Sequence, residues 1–311
     1  MTDDVFETYL DYLAALRKSS MTVSVSRLAM KSFKDAIDAC DVPVEPVEAE
    51  VIAWIKAMRV KGYKGATIKN YVLFVKLFYG YLKDRGLVSG NIFERFYWEL
   101  PSGRRQTMRP YKTLEEISRL IRGTFNIRDR GVLVLLAKTG IRAGELTSLN
   151  MVDVNMGGGM LVVNKYVDKI TGRILCGRKN KEETLIPLDS ETIIVLQACI
   201  AVRPETSDPA LFVSHNGKRL NVRDINKIVY KWVVKTGIHA NDGGGIGGNI
   251  TPHYFRAWFT RMMQKGGCDP EIVEYLRGDK AGSMRSMYSR EVLNFGEIKE
   301  AYLQSVPKFG I

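Results

Sequence analysis

The sequence has 311 residues, and its 46 Lys and Arg residues outnumber its 34 Asp and Glu residues to give a formal net charge of +12. That length suits about two domains of roughly 100–200 residues each. A hydrophobic fraction of 45% supports a buried core, which excludes global disorder. The basic balance favours a polyanionic partner, either nucleic acid or an anionic membrane surface.

A membrane location is not supported by the sequence. The longest apolar run, 132–137, ends at Lys138, whereas a spanning helix needs about 20 apolar residues. The segment Met1–Asp4 lacks the positive charge and apolar stretch of a signal peptide. The four cysteines are widely spaced, which argues against a zinc site and predicts reduced thiols: Cys40, Cys176, Cys199 and Cys268. We therefore expect a cytoplasmic protein.

Charge changes sign within the first third of the chain. Residues 1–53 are acidic on balance, whereas residues 54–109 contain twelve Lys and Arg residues against three acidic ones. Within this basic stretch, Thr67–Lys83 has the periodicity of an amphipathic helix, and Gly86 is placed to stop it. One face of that helix is apolar and aromatic: Tyr71, Val75, Phe78, Tyr79 and Leu82. We predict that this face packs in a core and that the basic residues contact phosphates.

A break in hydrophobic periodicity separates two domains. The segment Pro101–Arg105 has the composition of a linker. Thr113 and Glu116 then have the spacing of a helix capping box, which places the start of a second domain there. We predict a helical domain over residues 1–103, a linker over 104–112 and a mixed α/β domain over 113–311.

The second domain is predicted to be mainly helical with a small antiparallel β-sheet. Short strands are predicted at Met160–Val167, Arg173–Cys176 and Thr184–Leu188. Helices are predicted at Gly131–Lys138, Ser190–Ala201, Val222–Lys235, Pro252–Lys265 and Pro270–Leu276. The glycine-rich stretch Gly243–Gly248 lacks the residue order of a nucleotide-binding loop, so we interpret it as a flexible loop.

Two segments have the features of an anion site at the start of a helix. Arg142 follows a buried apolar helix, and its guanidinium group suits a phosphate, with Glu145 able to support it; a surface Arg–Glu pair is the alternative. Thr251 is a good helix N-cap, and the following His253 and Arg256 lie three residues apart on one helical face. A structural histidine is the alternative for the second segment.

Two further segments carry a lysine and a tyrosine. The basic run 178–181 lies between two predicted strands, where a lysine could protonate a leaving alkoxide or could be part of a solvated turn. Counting back from the following strand favours Lys179, with Lys181 and Arg178 as the alternatives. Near the C-terminus, Tyr288 is flanked by small and basic residues and follows the segment Leu276–Asp279.

The order of these segments along nearly the whole chain resembles the catalytic constellation of tyrosine site-specific recombinases, the phage-type integrases. Residues 66–86 look like the helical core-binding domain of that family, and Tyr288 lies nine residues after Asp279, as in the family's last motif. The family usually has histidine or tryptophan at the position of Asp279, although divergent archaeal and viral members vary there. A carboxylate adds repulsion near a phosphate unless nearby cations such as Arg277, Lys280 or Arg285 offset it, or unless it organises an arginine.

The resemblance implies a reaction with assigned site residues. Tyr288 would attack a DNA phosphodiester to form a 3′-phosphotyrosine, with Arg142 and Arg256 clamping the phosphate oxygens. His253 is the candidate base, and Lys179 is the candidate acid. Asp279 completes the set. No metal or cofactor is implied.

The resemblance also implies partners. A two-domain clamp would hold double-stranded DNA in the nucleoid, and the protein would form a tetramer on two DNA sites, with an accessory DNA-bending protein possible. The tail Glu297–Val306, with Ile298, Tyr302 and Leu303 at helical spacing, either docks on a neighbouring protomer or packs on its own domain. Alternative functions are a type IB topoisomerase-like enzyme or a DNA-binding protein that has lost catalysis. An RNA-binding protein lacks support, because no RNP-like aromatic motif is present.

Overall fold

A computed structural model describes residues 3–37, 45–101, 111–168, 170–178, 183–238, 250–279 and 294–311. The chain divides into two compact units, residues 1–107 and residues 108–311. Each unit contains its own cluster of buried hydrophobic side chains. Among the described residues, no helix is long and apolar enough to cross a membrane.

The described part of the first unit is helical. Its helices are α1 Asp3–Ala15, α2 Ser20–Ala36, α3 Glu48–Val60, α4 Gly65–Lys83 and α5 Phe93–Glu99. Helix α4 begins two residues before the predicted start, and it ends as predicted, because Gly86 has a φ of 69° and the Leu87 N–H donates to the Leu82 carbonyl (3.0 Å). The predicted apolar face of α4 packs in the core, with only Tyr71 partly exposed.

Eight α-helices and one short 3-10 helix, Met151–Asp153, lie in the described part of the second unit. The α-helices are α6 Leu114–Arg122, α7 Ile127–Thr139, α8 Ala143–Ser148, α9 Ser190–Ala201, α10 Val222–Lys235, α11 Pro252–Lys265, α12 Pro270–Arg277 and α13 Phe295–Ser305. The predicted capping box is confirmed, because the Glu116 N–H donates to Thr113 Oγ1 (3.1 Å) and the Thr113 N–H donates to Glu116 Oε2 (2.7 Å). Helix α7 is the buried helix that the apolar run predicts, and residues 131–139 are all buried.

The strands of the second unit form two small antiparallel sheets. Strands β1 Val154–Asn155, β2 Met160–Val163 and β5 Thr184–Pro187 form one sheet in the order β1-β2-β5, and β3 Lys165–Val167 pairs with β4 Ile174–Cys176 in the other. The prediction of a mainly helical protein with a little antiparallel sheet is therefore confirmed.

The prediction of a single strand over Met160–Val167 is wrong, because the chain changes sheets at Asn164. Its carbonyl accepts a hydrogen bond from the Gly177 N–H (2.5 Å), and its side-chain amide donates to Glu183 (2.9 Å). These polar groups bond outside the β2–β5 ladder, which ends with Val163 opposite Thr184. The β-branched residues on both sides gave no sign of this break.

The C-terminal tail packs on its own unit. Ile298 and Tyr302 of α13 are buried, and the Tyr302 hydroxyl donates to the carbonyl of Lys138 (3.0 Å). Leu303, the third apolar residue of the tail, is 38% exposed and is not part of this packed face. Beyond α13, the Glu191 carboxylate accepts hydrogen bonds from the backbone N–H groups of 309–311 at 2.7–3.3 Å.

Three of the four cysteines lie in the described part of the chain. Cys176 is exposed, whereas Cys199 and Cys268 are buried. Cys40 and the stretch Gly243–Gly248 lie outside the described residues.

Candidate active site

Arg142 is held between the end of one helix and the start of the next. Helix α7 ends at Gly140, whose φ of 60° turns the chain, and Arg142 then takes the N-cap position of α8 in an extended conformation. Its N–H donates to Glu145 Oε2 (2.8 Å) and its Nη1 donates to Glu145 Oε1 (2.9 Å). The predicted support of Arg142 by Glu145 is therefore present.

Glu145 lies buried between two arginines. Arg178, which is itself fully buried, donates from Nε to Glu145 Oε1 (3.1 Å) and from Nη2 to Oε2 (3.0 Å). Burial raises the pKa of the Glu145 carboxyl, but the attraction of Arg178 and Arg142 outweighs it, so the pKa lies below its ordinary value.

Arg178 has a supporting role in this arrangement. Its remaining hydrogen bonds go to the carbonyl groups of Leu276 (3.0 Å) and Arg277 (2.7 Å). Its guanidinium group is fully enclosed by these partners. Arg178 therefore fixes the site and is not the proton donor that was one alternative for the basic hairpin.

Arg256 points into the same cluster from α11. Thr251 caps this helix by accepting from the Tyr254 N–H (3.2 Å), and Pro252 occupies its first position. The side chain of Arg256 is 4% exposed, and its Nη1 donates to the carbonyl groups of Gly140 (2.7 Å) and Arg277 (2.8 Å). Burial lowers the pKa of Arg256 to about 10, with Arg142 acting in the same direction, so the group is charged at neutral pH.

His253 lies one turn before Arg256 in the first turn of α11. Its side chain is exposed, whereas that of Arg256 is buried. The two residues therefore differ in their access to solvent, although their spacing predicts a shared helical face.

The segment after α12 is the point at which the arginines meet. Asp279 Oδ1 accepts from Nη2 of Arg142 (2.9 Å) and from Nη2 of Arg256 (2.5 Å). Asp279 Oδ2 pairs with Nη2 of Arg277 (3.0 Å). The carboxylate at the position where the resembling family has histidine or tryptophan therefore contacts three arginines, whereas the alternative considered from the sequence was that it would organise one.

Gly278 makes this convergence possible. Its φ of 61° ends α12 and directs the carbonyl of Arg277 and the carboxylate of Asp279 toward the arginines. A side chain at position 278 would overlap the guanidinium group of Arg178, with Nη1 only 2.6 Å from the added carbon.

The cluster has an excess of positive charge. Four arginines (142, 178, 256 and 277) and two carboxylates (145 and 279) leave a net charge of 4 − 2 = +2 among the described residues. Burial raises the pKa of Asp279, but Arg256, Arg277 and Arg142 together lower it below its ordinary value. Such an arrangement can stabilise an anion that carries more than one negative charge.

The remaining predicted residues lie outside the described part of the chain. These are Lys179, Lys181, Lys280, Arg285 and the predicted nucleophile Tyr288. Within the described ranges, no group of three or more His, Cys, Asp or Glu side chains could hold a metal ion.

The sequence did not predict where two of the arginines lie in the site. Its patterns indicated Arg178 only as a possible hairpin donor and Arg277 only as an offset for Asp279. The position of Arg277 inside the Leu-x-Gly motif, between Leu276 and Gly278, was the available signal for that residue. No local signal indicated that Arg178 would be buried against Glu145, which lies 33 positions away.

Comparison with known proteins identifies relatives of this chain. Residues 110–292 match the model of the phage integrase family. The chain is 25% identical over 302 residues to tyrosine recombinase XerC of Roseiflexus sp., with 92% of this chain and 89% of that protein covered. It is also 25% identical over 292 residues to tyrosine recombinase XerA of Pyrococcus horikoshii, with 93% and 90% covered.

Solved structures share the fold. The Tn1549 transposon integrase in complex with transposon right end DNA matches with a TM-score of 0.73 at 18% identity, covering 94% of this chain and 99% of that one. A lambda integrase dimer bound to a COC′ core site matches with a TM-score of 0.67 at 17% identity, covering 91% and 97%. Since the family model covers more than half of the sequence, this chain belongs to the phage integrase family of tyrosine recombinases.

Proposed function

We propose that this chain is a site-specific DNA recombinase that cleaves and rejoins DNA strands through a 3′-phosphotyrosine at Tyr288. The observation that carries the proposal is the convergence of Arg142 and Arg256 on one carboxylate oxygen, at 2.9 Å and 2.5 Å. Two guanidinium groups that meet on one anionic oxygen can also meet on a nonbridging oxygen of a phosphodiester. The Xer recombinases and the integrase–DNA complexes among its relatives support DNA as the substrate.

Arg142 and Arg256 stabilise the transition state in this proposal. Attack on the phosphodiester gives a pentacoordinate phosphorus with additional negative charge on its nonbridging oxygens. Both guanidinium groups are already oriented, Arg142 by Glu145 and Arg256 by the carbonyls of Gly140 and Arg277, so little reorganisation is needed. Loss of one such donor costs about 3 kcal/mol of transition-state stabilisation, by analogy with oxyanion holes.

Proton transfer is assigned to two other side chains. The Tyr288 hydroxyl loses its proton, with the exposed His253 as the acceptor, and its oxygen forms a bond to phosphorus while the bond to the 5′-oxygen breaks. Lys179 donates a proton to that 5′-oxygen, which leaves as a hydroxyl. Rejoining reverses these steps, and it needs no ATP because the phosphotyrosine bond conserves the energy of the cleaved bond.

The two units have separate roles in the proposal. Residues 1–103 form the core-binding domain, residues 104–112 the linker and residues 113–311 the catalytic domain, and both domains contact one duplex. Four copies act on two DNA sites in the cytoplasm, with a DNA-bending protein as a possible accessory factor. The basic excess of residues 54–109 and the separate hydrophobic core of the first unit support this division.

Covalent trapping tests the proposed reaction. Wild type, Tyr288→Phe and the matched control Tyr230→Phe, which removes an exposed hydroxyl on α10, are each incubated with a pool of random-sequence duplexes in EDTA. The reactions are denatured in detergent, and the DNA attached to protein is sequenced. We expect DNA-linked protein with wild type and Tyr230→Phe and none with Tyr288→Phe.

The other outcomes separate the competing functions. Binding without any covalent adduct in wild type would favour a protein that has lost catalysis, with Asp279 on the two arginines as the cause. Adducts without a preferred sequence, combined with relaxation of supercoiled plasmid by a monomer, would favour a topoisomerase-like enzyme.

A further inference from the structure

Arg277 lies at the arginine cluster without a role in the reaction described above. We propose that Arg277 is a third phosphate-contacting residue of the recombinase, and that Asp279 positions its guanidinium group for this contact. The proposal rests on the proposed function, because it concerns the same phosphate as Arg142 and Arg256.

The first observation is that Arg277 shares an anion with the other two arginines. Its Nη2 atom is 3.0 Å from Asp279 Oδ2, while Arg142 and Arg256 donate to Oδ1 of the same carboxylate. All three guanidinium groups are therefore within hydrogen-bonding distance of one small anion. A phosphate beside this carboxylate would be close to all three.

The second observation is an unsatisfied donor. The Nε atom of Arg277 is buried and has no hydrogen-bond acceptor in the described part of the chain, although the side chain as a whole is 25% exposed. A buried donor without an acceptor is unfavourable, because it loses its hydrogen bonds to water and gains none in return. Native structures retain few such groups, and they are often connected with function. For a phosphate oxygen to supply the missing acceptor, the side chain has to turn so that this covered atom faces the ligand.

The third observation is the acceptor chemistry of position 279. An ionised aspartate accepts hydrogen bonds and donates none, so Asp279 cannot contact a phosphate oxygen as histidine or tryptophan could. A guanidinium group has five N–H donors. Arg277 lies two residues before Asp279 in the sequence, and the Asp279 carboxylate holds its guanidinium group. Removing the Arg277 charge would reduce the net charge of the cluster from +2 to 2 − 1 = +1.

Binding of inorganic phosphate tests the proposal without any need for cleavage. The full chain is titrated with phosphate at low ionic strength in a calorimeter, as wild type, Arg277→Gln, Arg277→Lys and Arg122→Gln. Arg122 is the matched control, because it is an exposed arginine that pairs with Glu115 on α6. We expect Arg277→Gln to weaken phosphate binding about tenfold, or about 1.4 kcal/mol, Arg277→Lys to weaken it less, and Arg122→Gln to leave it unchanged.

Two results would overturn the proposal. One is phosphate affinity in Arg277→Gln equal to that of wild type, and the other is wild type that binds no phosphate. Thermal unfolding of each variant identifies a loss of fold, and Arg277→Lys then decides the question, because it keeps the charge at this position.

A DNA substrate separates contact with phosphate from a structural effect. In a duplex recovered by trapping, a neutral methylphosphonate replaces the scissile phosphate and removes the charge that Arg277 would neutralise. We expect the rate defect of Arg277→Gln, relative to wild type, to shrink at least tenfold on this duplex. An equal defect on both duplexes would overturn the phosphate contact. A wild type that forms no adduct would refute the proposed function, while the phosphate titration would still decide the role of Arg277.

Discussion

The guanidinium group of Arg178 occupies the space beside the α-carbon of Gly278. A carbon added to Gly278 would lie 2.6 Å from Arg178 Nη1, in a backbone conformation with a φ of 61° that disfavours side chains. Arg178 is fully buried and bonded to Glu145, so it cannot swing away without breaking that pair. The shape of the arginine cluster therefore depends on the absence of a side chain at this position.

Gly278→Ala is expected to destabilise the protein and to disturb the cluster. The left-handed backbone alone costs an alanine about 1–2 kcal/mol, and displacement of Arg178 adds to this cost. The matched control is Gly237→Ala, which has a similar φ of 65° and open space around the added carbon. Urea unfolding of the full chain should show a larger loss for Gly278→Ala, and equal losses would contradict the overlap with Arg178.

Glu145→Gln is expected to lower the free energy of unfolding by about 3–5 kcal/mol, because it leaves the buried charge of Arg178 without its partner. Tryptophan fluorescence during urea unfolding measures the effect. Glu115→Gln serves as the control, since its pair with Arg122 is exposed and contributes about 0–1 kcal/mol. A change below about 1 kcal/mol in Glu145→Gln would show that the pair with Arg178 is not needed for stability.

Arg256→Lys is expected to slow formation of the covalent DNA adduct by about 10²–10³-fold. A lysine keeps the charge, but its single nitrogen cannot occupy both donor positions of Arg256, where Nη1 donates to the carbonyls of Gly140 and Arg277 and Nη2 donates to an anion. Arg261→Lys on the same helix is the control, because Arg261 lies over the ring of Tyr111, 4.0 Å from its centre. Similar rates for both variants would argue against a clamp at Arg256.

The free energy of unfolding of the protein is expected to decrease at acid pH. The pKa values of Asp279 and Glu145 are lowered in the folded protein by their arginine partners. Each carboxylate therefore contributes stability at a pH above its unfolded pKa, which is about 3.9 for Asp and about 4.3 for Glu. This contribution is lost as the pH falls through the lower folded pKa.

A comparison of wild type with Asp279→Asn isolates the contribution of one carboxylate. The difference in unfolding free energy should be largest near neutral pH and should decrease below about pH 4. Urea unfolding across the range from about pH 3 to pH 7 measures it. A difference that stays constant over this range would contradict the coupling of Asp279 to the arginines.

Local signals predicted the elements and the first contacts of the site. The capping box at Thr113, the helix stop at Gly86 and the support of Arg142 by Glu145 all depend on residues within five positions of one another, and the structure contains each of them. These interactions could be predicted because spacing along a helix or turn fixes which groups meet.

Contacts between distant segments could not be predicted in the same way. The run of basic residues that includes Arg178 has the composition of a solvated turn, but the partner that buries Arg178 lies in α8. The break at Asn164 depends on Gly177 and Glu183, which are distant in sequence. The convergence on Asp279 requires three helix ends to meet, and this depends on packing and not on any single motif.

The carbonyl group of Arg277 belongs to the main chain and not to the side chain. Arg178 and Arg256 donate hydrogen bonds to that carbonyl at 2.7 Å and 2.8 Å. Any amino acid at position 277 would provide the same oxygen. The Arg277 side chain can therefore be replaced during evolution without loss of the carbonyl group that orients Arg178 and Arg256. Position 277 can thus carry different side chains while Arg178 and Arg256 keep the hydrogen bonds that orient them.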